Sequence, residues 1–243
     1  MKTSKIILYN EPTVPEIQLE KLQKFLVETF SVEIELRESF FQHSNDNLFK
    51  KIESTRVFDL KKPFERQTKV NTNNEMIFYD GFEFEKIISE FIPIDEIKID
   101  ILNIIFTNKL TCTFDETDFR YHARALIASN PAIISTSGMI EAPAKPKQYY
   151  LDIMTNFSEE DIKKIKEKYK GEFLEYHDSR LAEITAGYLL QAIMYYETGE
   201  AFCEQKDCRL FNAHWQKDLF YSQIENKKFC KKHQNILEKI KQR

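Results

Sequence analysis

The sequence predicts an α/β (α+β) fold: a single domain over residues 1–243 with a mixed sheet, a buried central helix and a cysteine-containing C-terminal segment that ends in one more helix. Three observations support this prediction. The chain opens with a strand–helix–strand pattern, its most apolar helical stretch lies near residue 190, and three of its 4 cysteines follow that stretch. A chain of 243 residues with 42% hydrophobic composition can bury one sizeable core.

The N-terminal part begins with a β-α-β unit. Residues 5–9 read KIILY, an apolar run typical of a strand. Residues 16–30 carry apolar side chains at helical spacing, and residues 31–40 alternate between polar and apolar side chains as a half-buried strand does. A strand, a helix and a second strand in this order favour an α/β sheet.

The remainder of this N-terminal part, which we assign to residues 1–94, is more polar. Residues 42–74 are charged with weak periodicity, so we expect one helix and a loop there. Residues 82–92 have the spacing of a short helix, and Pro93 ends it because proline cannot continue the hydrogen-bond ladder.

The middle part, residues 95–202, is expected to hold most of the sheet and the central helix. Residues 99–116 predict a β-hairpin that turns at Asn108, and residues 118–143 predict one or two further strands. Residues 141–150 contain two prolines, Pro143 and Pro146, and are expected to form a loop.

One strand of the middle part carries three basic side chains in register. Its sequence is RYHAR, so Arg120, His122 and Arg124 share one face. Such a face is either solvated or lines a groove, and the sequence leaves both readings open.

Two helices follow the sheet. Ser158 is expected to cap a charged helix that Gly171 ends. A second helix is expected to start at Asp178 or Ser179 and to end at Gly199. It is the most apolar helix of the chain and is therefore the candidate for the central core helix.

Charge and hydropathy limit the partners. The formal net charge of −4 and a pI near 5.9 provide no general attraction to nucleic acid. No apolar run is long enough to span a bilayer, and the polar N-terminal sequence lacks the apolar region of a signal peptide, so we expect no membrane association and a cytoplasmic location. No feature of the sequence indicates an oligomeric state.

The C-terminal segment, residues 203–243, carries a set of metal-ligand residues. Cys203 and Cys208 form a C-x4-C pair, and Cys230 and His233 follow at i and i+3 of the last predicted helix. Thiolates and imidazole are the ligands that Zn²⁺ prefers, and four protein ligands fill its tetrahedral shell. The pattern therefore predicts one structural zinc ion per chain.

Two other readings of this segment stay open. The cysteines could be free buried thiols with a histidine nearby by coincidence. The segment holds ten lysine and arginine residues against five acidic ones, so it could also be a zinc-stabilised module for nucleic acid. The fourth cysteine, Cys112, is expected to be a packed strand residue.

The same segment resembles the archaemetzincins, zinc peptidases of the metzincin group whose signature is H-E-x-x-H-x-x-G-x-x-H-C-x4-C-x-M followed by C-x2-C. Cys203 and Cys208 set the register, and Gly199 then matches the glycine of the signature. Cys230 matches the third structural cysteine, and His233 stands where the family has a fourth. The resemblance covers residues 95–240 approximately and implies a zinc-peptidase fold with a structural zinc site.

The catalytic half of the signature is degenerate. The three ligand histidines fall on Ala192, Tyr196 and Phe202, and the general-base glutamate falls on Ile193. The methionine of the Met-turn falls on Leu210. The resemblance therefore implies a metallopeptidase-like protein without a catalytic zinc site, because none of these side chains can bind zinc as imidazole does or act as a base.

The resemblance also implies a cleft beside the strand that contains Ile134 and Ser135. We expect six polar residues near it: Arg120, His122, Arg124, Tyr196, Glu197 and His214. Two functions follow. One is a non-catalytic scaffold that binds a peptide or protein, with residues 133–138 pairing an extended strand. The other is a metallohydrolase with a rearranged site, in which His122, His214 and Glu197 hold a second metal.

Overall fold

The computed structural model of the protein describes residues 3–42, 46–68, 76–156 and 158–242. Its strands are β1 (Lys5–Tyr9), β2 (Glu33–Arg37), β3 (Arg56–Val57), β4 (Phe78–Asp80), β5 (Ile101–Thr107), β6 (Leu110–Asp115), β7 (Arg120–Arg124), β8 (Leu126–Ile127) and β9 (Ala132–Ser135). Its helices are α1 (Leu19–Phe30), α2 (Asp46–Ser54), α3 (Gly81–Ser89), α4 (Thr136–Glu141), α5 (Lys147–Thr155), α6 (Glu159–Lys168), α7 (Leu181–Thr198), α8 (Gln216–Phe220) and α9 (Lys231–Lys241). A π-helical turn, Tyr221–Asn226, continues α8.

A five-stranded sheet in the order β2-β1-β5-β9-β8 forms the main layer. The first four of these strands are parallel, and β8 runs antiparallel to β9 at one edge. The predicted β-α-β opening is confirmed, since α1 connects β1 to β2. The mixed α/β class is confirmed as well.

A second sheet in the order β3-β4-β6-β7 lies beside the first. The predicted hairpin over residues 99–116 is therefore wrong: the chain does turn at Asn108, but β5 and β6 belong to different sheets. Both neighbours of β5 are already β1 and β9, so β6 cannot pair with it. The turn is held across the two sheets, where the Asn108 backbone N–H donates to Glu11 Oε2 at 3.0 Å.

Helix α7 is the predicted central helix. Thirteen of its 18 residues are buried, including every residue from Ile184 to Met194. No charged side chain occurs in that stretch, which allows burial on all sides. Gly199 ends the helix in the left-handed conformation, with φ of 82°, as its position predicts.

Two expectations on the connecting segments need correction. Residues 147–155 form α5 instead of a loop, because Pro146 stands directly before the first turn and ends the extended segment there. The helix expected between residues 42 and 74 is α2, while residues 43–45 and 69–75 of that stretch lie outside the described part of the chain.

The strand expected to pair with an extended partner is not free to do so. Strand β9 lies between β5 and β8, and the chain enters α4 directly after it. Ser135 caps α4 by accepting a hydrogen bond from the Gly138 backbone N–H at 2.8 Å. The strand at this edge of the main sheet is β8, and the other edge is β2.

Gly138 allows α4 to pack closely against the bend between β7 and β8. A Cβ atom at this position would overlap the carbonyl oxygen of Arg124 and crowd Ala125. We expect Gly138→Ala to destabilise the protein by about 2 kcal/mol, as overpacking of a filled contact does, in urea unfolding followed by circular dichroism. Gly171→Ala is the control: its Cβ would meet no atom within 4 Å, so only the backbone strain of its φ of 86° remains. Equal stability of Gly138→Ala and the parent would contradict the packing described.

Candidate metal centre and adjoining cleft

Three cysteines and a histidine meet where the segment after α7 contacts the start of α9. Residues 203–211 form a tight knuckle, in which the Cys203 N–H donates to the Leu210 carbonyl at 2.7 Å and the Cys208 N–H to the Gln205 carbonyl at 3.0 Å. Cys230 is the N-cap residue of α9, and His233 lies in its first turn. The i and i+3 spacing on a helix start directs both side chains to one point.

The four donor atoms have the separations of a tetrahedral zinc shell. His233 Nδ1 lies 3.1 Å from Cys230 Sγ and 3.5 Å from Cys208 Sγ, and the sulphurs of Cys203 and Cys230 are 4.0 Å apart. All four donor atoms lie within 4.8 Å of one another. Zinc–sulphur bonds of about 2.3 Å in a tetrahedron place sulphurs about 3.8 Å apart. The residues therefore fit one zinc ion.

The surroundings of the cluster also suit thiolates. Backbone N–H groups of Gln205 and Cys230 donate to Cys203 Sγ at 3.4 Å and to Cys208 Sγ at 3.5 Å. Such N–H donors stabilise negative sulphur. His233 is buried, with 2% of its surface exposed, so its ring is held in place by packing.

In the absence of metal, burial shifts the pKa values of two of the four ligands, Cys208 and His233. Burial raises the pKa of the Cys208 thiol to about 12. Burial, together with the charge of Lys232, lowers the pKa of the His233 imidazole. Burial also opposes ionisation of Cys230, but the His233 backbone N–H and the neighbouring thiols outweigh it and lower the pKa of this thiol. At neutral pH the histidine is therefore neutral and ready to bind metal, while Cys208 has to release a proton.

The positions that match the catalytic ligands hold no metal donors. Ala192 and Ile193 are buried in the main core, with 1% and 0% of their surface exposed. Tyr196 is half-buried against that core, and its hydroxyl donates to the Ile99 carbonyl at 2.7 Å. Phe202 is 41% exposed beyond Gly199.

The six residues expected to share one cleft fall into separate groups. Arg120 and His122 both bind Asp118, with nitrogen–oxygen distances of 2.8 and 2.9 Å. Tyr196 reaches the loop before β5, as described above. Glu197 is buried and accepts hydrogen bonds from the backbone N–H and the hydroxyl of Thr3, at 3.0 and 2.7 Å. The structure therefore does not bring His122, Glu197 and His214 together as the ligands of a second metal site.

Arg124 and His214 do line a common cavity of about 430 Å³ beside the edge strand. Six consecutive residues of its wall, 123–128, are the end of β7, the bend and β8. We refer to this cavity as the edge cleft. Its other lining residues are Phe82, Thr113, Ala142, Pro143, Tyr188, Phe202, Asn212 and Ala213.

Some site features were not predicted. Tyr188 lies one helical turn before Ala192 and lines the edge cleft, which the helical register alone could have indicated. Asp115, Asp118 and His122 form the other group of possible metal ligands among the described residues. This group is at the surface, and Asp118 already forms an ion pair with Arg120 and a hydrogen bond with His122.

Comparison with models of protein families assigns the chain to one family. The model of the probable metallopeptidase family (DUF6775) matches residues 2–240. The chain belongs to this family. This assignment agrees with the resemblance to metallopeptidases that the spacing of Gly199 and the cysteines indicates. No curated protein shows significant similarity to this DUF6775 member.

Two solved structures are similar to the DUF6775 member. One is a zinc-dependent peptidase from Methanocorpusculum labreanum, with 9% identity, a TM-score of 0.44 and coverage of 96% of this chain and 99% of that chain. The other is an archaemetzincin from Methanopyrus kandleri, with 12% identity, a TM-score of 0.44 and coverage of 100% and 97%. No helix in the described residues is long and apolar enough to cross a bilayer.

We predict that Cys208→Ser abolishes zinc binding, because it removes the most buried of the four ligands. Loss of the metal should cost about 3 kcal/mol of unfolding free energy or more, below the ~10 kcal/mol found in small zinc-dependent modules because this protein has its own core. Metal content by plasma mass spectrometry and urea unfolding measure both effects. Cys112→Ala is the control, since Cys112 lies on β6 outside the cluster, and it should keep the metal content of the parent. A metal-free parent protein would refute the site.

We predict that zinc affinity rises with pH between about 6.5 and 8. Binding displaces a proton from Cys208, whose pKa is raised, and each displaced proton makes the apparent affinity rise about tenfold per pH unit. The lowered pKa of His233 means that it adds no competing proton in this range. Calorimetry in buffers of different ionisation enthalpy counts the protons released. Affinity independent of pH would show that the thiols are not the ligands.

Proposed function

We propose that this member of the probable metallopeptidase family is a non-catalytic scaffold that binds an extended peptide or protein segment in the edge cleft. One zinc ion, held by Cys203, Cys208, Cys230 and His233, has a structural role. When bound, zinc joins the knuckle after α7 to the start of α9, and its four protein ligands leave no position for a substrate or water. A reducing compartment such as the cytoplasm suits these thiols.

The proposal rests on which residues occupy the positions where a peptidase with the archaemetzincin signature would bind its catalytic zinc. Ala192 and Ile193 are core residues, Tyr196 uses its hydroxyl on a backbone carbonyl, and Phe202 has no donor atom. A water molecule among such alkyl and aromatic groups lacks the polar partners it requires. Zinc-activated hydrolysis is therefore not supported there.

Binding without cleavage is supported by the position of β8. In the described part of the chain it pairs with β9 on one side only, and residues 123–128 form a continuous wall of the edge cleft. An extended segment placed there can hydrogen-bond to backbone groups of the sheet edge, as peptides do when they add a strand. Side chains of alternate residues would then face the cleft and the solvent.

We expect no zinc-dependent peptide cleavage. A quenched fluorescent peptide library is incubated with the purified protein, with added zinc and with chelator, beside an active zinc peptidase as positive control. Cleavage should stay at background under both conditions. Cleavage that chelator abolishes and that also fails in His122→Ala, His214→Ala or Glu197→Gln would instead establish a rearranged metallohydrolase.

Backbone recognition can be tested with N-methylated peptides. A bound peptide should lose affinity by about tenfold or more when N-methyl groups replace N–H groups at alternate positions, because each missing N–H leaves an edge carbonyl unpaired. Methylation at the positions between them should be tolerated. Titration by fluorescence anisotropy measures both series. Equal losses at all positions would argue against strand addition.

A further inference from the structure

Arg124 differs from the other two basic residues of β7 in its partners. Arg120 forms an ion pair with Asp118, and the His122 ring contacts the same carboxylate. The Nε atom of Arg124 donates to Thr113 Oγ1 at 2.8 Å, and among the described residues no carboxylate forms an ion pair with its guanidinium. Arg124 is therefore a half-buried cation with free donors at its terminal nitrogens.

Among the described residues, the side chains that line the edge cleft include no acidic one. None of its 15 lining residues is an aspartate or a glutamate, although the whole chain has a formal charge of −4. Among the described lining residues, Arg124 is the only one with a permanent charge. Hydrogen bonds from Thr117 and, more weakly, the charge of Arg124 lower the pKa of Asp115, so this carboxylate interacts with Arg124 without forming an ion pair. The terminal nitrogens of Arg124 can still bind the carboxylate of a ligand.

Tyr188 supplies a second polar group. It is 8% exposed, it lines the same cavity, and its hydroxyl makes no hydrogen bond to any residue that the structure describes. Burial raises the pKa of Tyr188, so the hydroxyl keeps its proton and can donate it to an acceptor. Buried tyrosine hydroxyls usually have a partner. The Tyr188 hydroxyl is instead open to the edge cleft, where it can donate to an acceptor on a ligand.

We infer that the edge cleft selects peptides that carry a carboxylate, bound by the Arg124 guanidinium and the Tyr188 hydroxyl. This inference rests on the proposed peptide binding and names the chemistry of the bound segment. Arginine binds carboxylates through two parallel N–H donors, which gives direction as well as charge. The carboxylate can belong to an acidic side chain or to the C-terminus of the peptide.

The experiment uses short peptide libraries with random positions that exclude aspartate and glutamate; the libraries are identical except for one fixed central residue, which is glutamate, glutamine or lysine. Each library is made with a free and with an amidated C-terminus. Immobilised zinc-loaded protein retains the bound peptides, which mass spectrometry then counts. We expect the parent to retain peptides with a carboxylate about tenfold more than amidated glutamine peptides, as expected for one charge-assisted contact.

Two substitutions on β7 and one on α7 provide variants that can be compared with the parent protein. Arg124→Gln should lose the preference, with an affinity for the best carboxylate peptide about 30-fold weaker, because a charge-assisted contact is removed. Arg120→Gln makes the same charge change on the same strand, at a side chain outside the edge cleft, and should keep the preference. Tyr188→Phe preserves the packing and should weaken binding about fivefold. Thermal unfolding and zinc content confirm that each variant is folded.

The outcomes separate this inference from the proposed function. A preference for glutamate peptides with an amidated end assigns the carboxylate to a side chain, and a preference for free-acid glutamine peptides assigns it to the C-terminus. Equal retention of all libraries, or an unchanged preference in Arg124→Gln, would refute carboxylate selection but leave peptide binding in place. Retention of no library by the parent would refute peptide binding itself and this inference with it.

Discussion

The burial of α7 on all sides is the constraint on which the rest of the structure depends. A helix without a polar face has to be covered by apolar groups on its whole circumference. The main sheet and α1 cover one side, and the segment from residue 203 to 241 has to cover another, where Leu210, Leu219, Leu237 and Ile240 join the same core. A cross-link between the knuckle after α7 and the start of α9 would hold that segment against the core. The cysteine–histidine cluster has the position and the donor atoms for such a cross-link.

The edge cleft results from the same arrangement. Strand β7 belongs to the second sheet and β8 to the main sheet, so the chain changes sheets at a bend near Ala125. Gly138 lets α4 approach that bend, and Ala144 forms an isolated β-bridge with Trp215. Small residues, among them Ala123, Ala125 and Ala128, alternate with larger side chains along the wall. A single arginine dominates its electrostatics, since Arg120 and His122 turn to Asp118.

Features with a local signature could be predicted from the sequence. The β-α-β opening, the end of α7 at Gly199 and the C-x4-C knuckle each depend on residues close together in the chain, and the structure contains all of them. Pairing could not be predicted in the same way. β5 and β6 look like a hairpin because each reads as a strand, but the choice of partner depends on β1 and β9, which are distant in sequence. The same limit applies to the cleft: spacing placed Tyr196 and Glu197 on α7, but only the packing of residues 3 and 99 shows where they point.

The close packing around Ala192 and Ile193 limits how the protein can change. Installing a zinc-peptidase centre would require a histidine in place of a side chain that is 1% exposed and a glutamate in place of one that is fully buried. The larger ring overfills the core at a cost of about 1–3 kcal/mol, and the carboxylate loses its hydration at a cost of several more. Those losses approach the about 5–15 kcal/mol that holds a typical domain together. A zinc-peptidase centre at these two positions is thus opposed by stability, and installing one would require rebuilding the core before the ligands.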